Sequence, residues 1–257
     1  MKRLAKYVVT LAATALMSSS AFAAINYSED FETYDVVPGD GLLHGGWKVF
    51  GTVFGDYPGC SEYWYGYGPF AAPNSTSAFS NITDEGSSGL ALTAFSNYDD
   101  GVHADSRCLE SSVFKEVIFD AADAGNYTFS FDTELPAAPL GAGVVTFGFV
   151  KVINNVEPWN TLLFKSVSTA SAGRKSINVI LDGAEHGGKI LQWGFTNTAS
   201  NYEASGRWYD NLSFAPQDPS TIKDDPLGVP IPLWALFGMG GLLAYVGGMR
   251  LRTRRGA

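Results

Sequence analysis

The chain has 257 residues, with 26 Asp and Glu against 17 Lys and Arg, and a formal net charge of −9. Its two ends hold seven of the bases, so the stretch between them keeps all 26 acids and carries about −16. That balance argues against nucleic acid or an anionic membrane surface as a partner for this stretch, since either needs a basic face. In chain order, Lys2, Arg3 and Lys6 precede an apolar run from Tyr7 to Met17 and the exit Ala21-Phe22-Ala23-Ala24. A basic start, an apolar middle and small residues at the exit make a secretory signal peptide over residues 1–24.

Residues 25–216 read as one domain, β almost throughout. Asn126-Tyr127-Thr128-Phe129-Ser130-Phe131-Asp132 alternates strictly, which puts Tyr127, Phe129 and Phe131 on one face of a half-buried antiparallel strand. The same period places Val145, Phe147 and Phe149 together, then Ile177, Val179 and Leu181, then Leu191, Trp193 and Phe195. Further strands are predicted near residues 46–54, 62–67, 90–95, 113–119, 161–167 and 208–214, separated by turn clusters such as Asp123-Ala124-Gly125-Asn126 and His186-Gly187-Gly188. So many short strands predict an all-β fold, a two-sheet antiparallel sandwich of jelly-roll type, with a barrel as the alternative.

Cys60 and Cys108 are the only cysteines. In an exported protein an isolated pair predicts one disulfide. Around Cys60 lies the most unusual local composition, Tyr57 to Phe70, which holds Tyr63, Trp64, Tyr65 and Tyr67. Flat sugar faces stack on such rings while hydroxyls need charged or amide partners, so this loop, with Asp105 and Arg107 brought close by the disulfide, is the candidate ligand-binding site. A strand here divides the rings: Tyr63, Tyr65 and Tyr67 share one side and Trp64 the other, so only one set can be buried.

Catalysis finds little footing. His44, His103 and His186 stand far apart with no metal-ligand spacing, and the chain has neither a Gly-x-Ser-x-Gly elbow nor a phosphate-cradling Gly-rich loop. Carboxylates from distant strands could still pair as in a glycosidase, so an enzyme stays as a third reading.

The opening Tyr27-Ser28-Glu29-Asp30-Phe31-Glu32 and the closing Trp208-Tyr209-Asp210-Asn211-Leu212-Ser213-Phe214 resemble the first and last strands of extracellular carbohydrate-binding and galactose-binding-like jelly-roll modules. The resemblance implies that these two strands lie side by side. It also implies a structural calcium ion held by acidic groups from both, with Glu29, Glu32 and Asp210 as the candidate ligands.

Residues 217–228 form a polar, Pro-containing linker, and residues 229–257 the anchor or sorting signal. Val229 to Met249 is 21 residues without a formal charge, enough for a helix of ~31 Å. Arg250, Arg252, Arg254 and Arg255 follow, whereas Asp224 and Asp225 precede, which orients the tail to the cytoplasm and the bulk outside. Val229-Pro230-Ile231-Pro232-Leu233-Trp234, the Gly-rich span and the Arg cluster resemble bacterial C-terminal sorting signals of the PEP-CTERM type, with Ile231 where the namesake pattern has Glu. That resemblance implies processing by an exosortase-like membrane protease; an uncut single-pass anchor is the alternative. The expectation is an exported, surface-tethered sandwich that binds extracellular carbohydrate or another polymer without catalysis. The rival is a structural envelope or biofilm-matrix protein with no small ligand.

Overall fold

The computed structural model describes residues 24–34, 45–56, 59–72, 80–84, 89–96, 107–134, 145–200 and 206–217. Residues 1–23 of the expected signal peptide, Asp105, His44, His103, the expected linker beyond Gln217 and the whole of the expected sorting tail lie outside the described residues. Among the described residues no helix is long and apolar enough to cross a membrane.

The described residues form twelve strands: β1 (Tyr27–Glu29), β2 (Lys48–Phe54), β3 (Tyr63–Ala71), β4 (Ser80–Asp84), β5 (Leu90–Ala94), β6 (Cys108–Ile118), β7 (Gly125–Glu134), β8 (Val145–Ile153), β9 (Thr161–Ser168), β10 (Gly173–Leu181), β11 (Ile190–Ser200) and β12 (Arg207–Pro216). They pair antiparallel in two sheets. The first runs β10-β7-β12-β5-β4, with β1 also on β12; the second runs β3-β2-β6-β11-β8-β9. This is the all-β two-sheet sandwich expected from the alternation, and β4 is the strand that neither the alternation nor the opening motif signalled.

Strand β12 is the hinge of the first sheet. Arg207–Tyr209 pair with β5, Leu212–Phe214 pair with β1, and a register shift between Asp210 and Ser213 marks the change on its β7 side. Asn211 takes a positive φ of 49° there, a conformation that its short polar side chain tolerates. As the opening and closing motifs implied, Tyr27 lies opposite Phe214.

The core lies between the sheets and is largely aromatic. Tyr127, Phe129, Phe131, Tyr209 and Phe214 come from the first sheet, Trp193 and Phe195 from the second. Trp193 stacks on Phe214 at 4.9 Å, and Phe195 stacks on Tyr209 at 3.6 Å. Such pairs add about 0.5–1.5 kcal/mol beyond the area they bury. Gly148 makes room for one of these rings, since a Cβ there would fall 2.4 Å from the tip of Phe131.

At one end of the sandwich a single 3-10 turn (Ala121–Asp123) and a one-turn helix, α1 (Gly183–His186), close the gap between the sheets. Asp182 caps α1 by accepting from the Ala184 and Glu185 amides, satisfying donors that a helix start leaves open. The buried His186 accepts the Asp182 amide at Nδ1, a structural duty.

Candidate functional site

The face of the second sheet turned away from the core carries the chemistry that the core does not use. In β6, Leu109 and Val113 enter the core, so Glu110, Ser112, Phe114 and Glu116 point outward. In β8, Val150 and Val152 enter the core, which turns Phe147, Phe149 and Lys151 outward. The pairing Glu116–Gln192–Lys151 forms one row across β6, β11 and β8, and Glu110–Thr198–Val145 forms another. Glu116 bridges the row to β2: it pairs with Lys48 and accepts Gln192 Nε2 at 2.9 Å. Lys151 rests 5.5 Å from the Phe149 ring centroid.

Burial drives the electrostatics of this face. Desolvation raises the Glu110 carboxyl from 4.5 to about 7, against the opposing influence of Lys151 and of the Thr198 hydroxyl. Desolvation likewise lowers the Lys151 ammonium to about 8, while Glu110 and Glu116 favour its charge. The sign of the Glu110 effect on stability follows from linkage: a carboxyl raised in the folded state stabilises fully below its unfolded value, and that contribution is lost as pH rises through the folded value. The stability difference between the wild type and Glu110→Gln is thus expected to move against the wild type between pH 4.5 and about 7 and then level off. Urea unfolding of both proteins across that range checks it; a flat difference would show that Glu110 is not desolvated.

The disulfide end of this face holds the aromatic stretch. Cys60 and Cys108 are bonded, and with Phe54 they form a small buried cluster separate from the main core. Asp56 fastens the preceding turn, its carboxylate accepting the Ser61 amide at 2.7 Å, the Glu62 amide at 2.6 Å and Ser61 Oγ at 2.8 Å. Burial opposes the charge on Asp56, but these bonds prevail and hold its carboxyl below the ordinary value.

The stretch divides as its alternation requires. Tyr65 and Tyr67 pack against the core, whereas Trp64, at a bulge in the β2–β3 pairing, is 45% exposed. The Arg107 guanidinium lies 4.5 Å from the Trp64 ring centroid and donates to Gly55 O. Its buried Nε has no partner among the described residues. Tyr63 is half-buried on the edge strand. The structure thus joins Trp64, Arg107 and the disulfide, turns Tyr65 and Tyr67 inward, and does not place Asp105.

The expected calcium ligands take different protein partners. Glu29 turns to Tyr34, whose hydroxyl donates to it at 3.0 Å, and also accepts the Phe31 amide. Glu32 accepts the Leu90 amide at 2.9 Å. Asp210 lies opposite Asp132, and Asn211 Nδ2 donates to both carboxylates, at 3.1 and 3.0 Å. Burial raises the Asp210 carboxyl, and Glu32, Asp132 and Asp30 add repulsion. Among the described residues no three His, Cys, Asp or Glu are arranged to hold a metal ion. Protein donors already engage these carboxylates, so a calcium ion would have to compete with them.

Solved structures similar to this chain include carbohydrate-binding modules. The CBM22-2 xylan-binding domain from Paenibacillus barcinonensis Xyn10C is 9% identical, with 74% of this chain and 99% of that one covered and a TM-score of 0.39. The CBM22-1 xylan-binding domain of the same protein is 12% identical, with 74% and 92% covered and a TM-score of 0.38. TmCBM61, solved in complex with β-1,4-galactotriose, is 12% identical, with 74% and 95% covered and a TM-score of 0.34. No family model and no curated protein matches the chain. The sandwich itself stands on the strand register described above.

The alternation could locate the aromatic stretch, but Glu110, Lys151, Glu116 and Gln192 escaped it. Their one signal is a charged or amide residue at the outward phase of an otherwise apolar strand, as in Phe147-Gly148-Phe149-Val150-Lys151-Val152-Ile153.

Proposed function

We propose that the chain is an exported, surface-tethered sandwich that binds an extracellular carbohydrate polymer without catalysis, with Trp64 as the stacking platform. One observation carries this reading: an exposed indole flanked by a guanidinium, on a strand edge that a disulfide and the Asp56 hydrogen bonds hold in place. Pre-organisation of this kind lowers the ordering cost of binding. Glu110, two residues along β6 from Cys108, supplies a hydroxyl partner on the same face. The tether is the uncharged span from Val229 to Met249, and its layout supports cleavage by an exosortase-like protease that leaves the domain at the cell surface.

A polysaccharide panel pulled down with the purified chain tests the binding role. Trp64→Ala is expected to weaken capture by about 2 kcal/mol, roughly thirtyfold, as loss of an aromatic anchor does. Capture that Trp64→Ala leaves intact would move the site elsewhere. No capture of any polymer by a folded chain would favour the structural envelope protein, a role that the inward packing of Tyr65 and Tyr67 also suits.

A further inference from the structure

Apart from Trp64 and Phe70, the large exposed hydrophobics among the described residues all stand at one end of the sandwich: Val117, Ile118, Val156, Trp159 and Ile180. Their placement follows from the register. Ile118 closes β6 and pairs with Ile190, which pairs with Ile153 at the end of β8, so three isoleucines form the last outward row of the second sheet. Val156 and Trp159 belong to the turn that follows Ile153. Asn155 Nδ2 ties that turn to Gly188 O at 2.6 Å, and the Gly188 amide in turn bonds Phe119 O, the residue after Ile118. Ile180 lies opposite Asn126 on the other sheet, at the same end.

The chain leaves the domain at this end too. Pro216 pairs with Tyr127, and the Gln217 amide donates to the carbonyl of Asn126, beside Ile180. From there the linker reaches ~40 Å at most before the uncharged span begins. Trp64 sits at the opposite end, since β6 runs 11 residues from Cys108 beside it to Ile118, or ~33 Å at strand spacing.

We infer that this apolar end is a membrane-contact surface, with Ile118, Val156 and Trp159 seated in the interfacial layer of the bilayer that the tail spans before any cleavage; the inference rests on the uncut tail being a membrane anchor. Exposed apolar patches of this kind mark contact sites, and an indole suits the headgroup level. The lipid surface is zwitterionic, because Asp120, Asp182, Glu157 and Glu185 are exposed at the same end and an anionic leaflet would repel them. The domain then stands upright, its Trp64 platform turned away from the lipid.

The test uses the full chain with Trp234→Phe, which removes the tail's own indole. It is reconstituted into phosphatidylcholine and phosphatidylethanolamine vesicles in which some lipids carry a nitroxide just below the headgroup. The chain is expected to float with the vesicles and to lose Trp fluorescence to the nitroxide. Most of that loss should vanish in Trp159→Phe, and also in the Ile118→Glu, Val156→Glu pair, whose exposed sites tolerate the change. Quenching equal with and without Trp159 in a floating chain would overturn the contact while leaving the anchor intact. Unquenched Trp159 with chains crosslinked through the 154–160 turn would do the same and put a second copy on the patch. Failure to float would remove the anchor, and the contact with it.

Discussion

Phe195→Ala is expected to destabilise the fold by about 3–5 kcal/mol, as deletion of a fully buried ring does. Phe195 has no exposed surface, stacks on Tyr209 at 3.6 Å and meets Phe131 edge-on at 4.8 Å, so one ring joins the sheets at two points. Rigid β neighbours cannot close around the space that it leaves, which puts the cost toward the upper end. A natural domain holds about 5–15 kcal/mol in all, so this substitution alone brings it near its limit. Chemical unfolding monitored by near-ultraviolet circular dichroism reads the loss. A change under about 1 kcal/mol would mean that the stack contributes packing without stability.

Breaking the disulfide with Cys60→Ser and Cys108→Ser together is expected to cost about 4 kcal/mol on the chain-entropy model, given their separation of 48 residues. The effect should also be local. The cluster of Phe54, Cys60 and Cys108 stands apart from the main core, so the double variant should lose order first around Trp64 and Arg107. Hydrogen exchange separates the two components: amides of residues 59–67 should exchange faster than those of β7 and β11. Uniform acceleration across the domain would instead show that the bond restrains only the unfolded chain.

What the sequence made legible depends on range. Alternation in Tyr127, Phe129 and Phe131 is a local property, and all three rings enter the core. The pairing of β1 with β12 and the Cys60–Cys108 bond are long-range, yet each had a marker, a paired motif or the only two cysteines present. The outward face of the second sheet had none. Glu110 and Lys151 influence each other only because β11 places their strands on either side of it, and no local pattern records which strand lies between two others. The calcium expectation rested on nearness in sequence of the same local kind. Glu29 and Glu32 are near neighbours in sequence, but the chain turns at Phe31, whose φ is +60°, and sends their carboxylates to Tyr34 and Leu90. Alternation likewise gave Val145, Phe147 and Phe149 a common face without saying which; Val150 and Val152 took the core side.

The position of β12 bears on how the domain carries load. Force entering through Pro216 and resisted near Trp64 runs along the axis of β12, which β7 flanks on one side and β1 and β5 on the other. Such a pull shears many ladder hydrogen bonds at once instead of opening them one by one from an edge. Rupture under tension is governed by the rate of unfolding rather than by equilibrium stability. A chain leaving from β4 or β10, at the sheet margins, would peel; leaving from an interior strand, it holds.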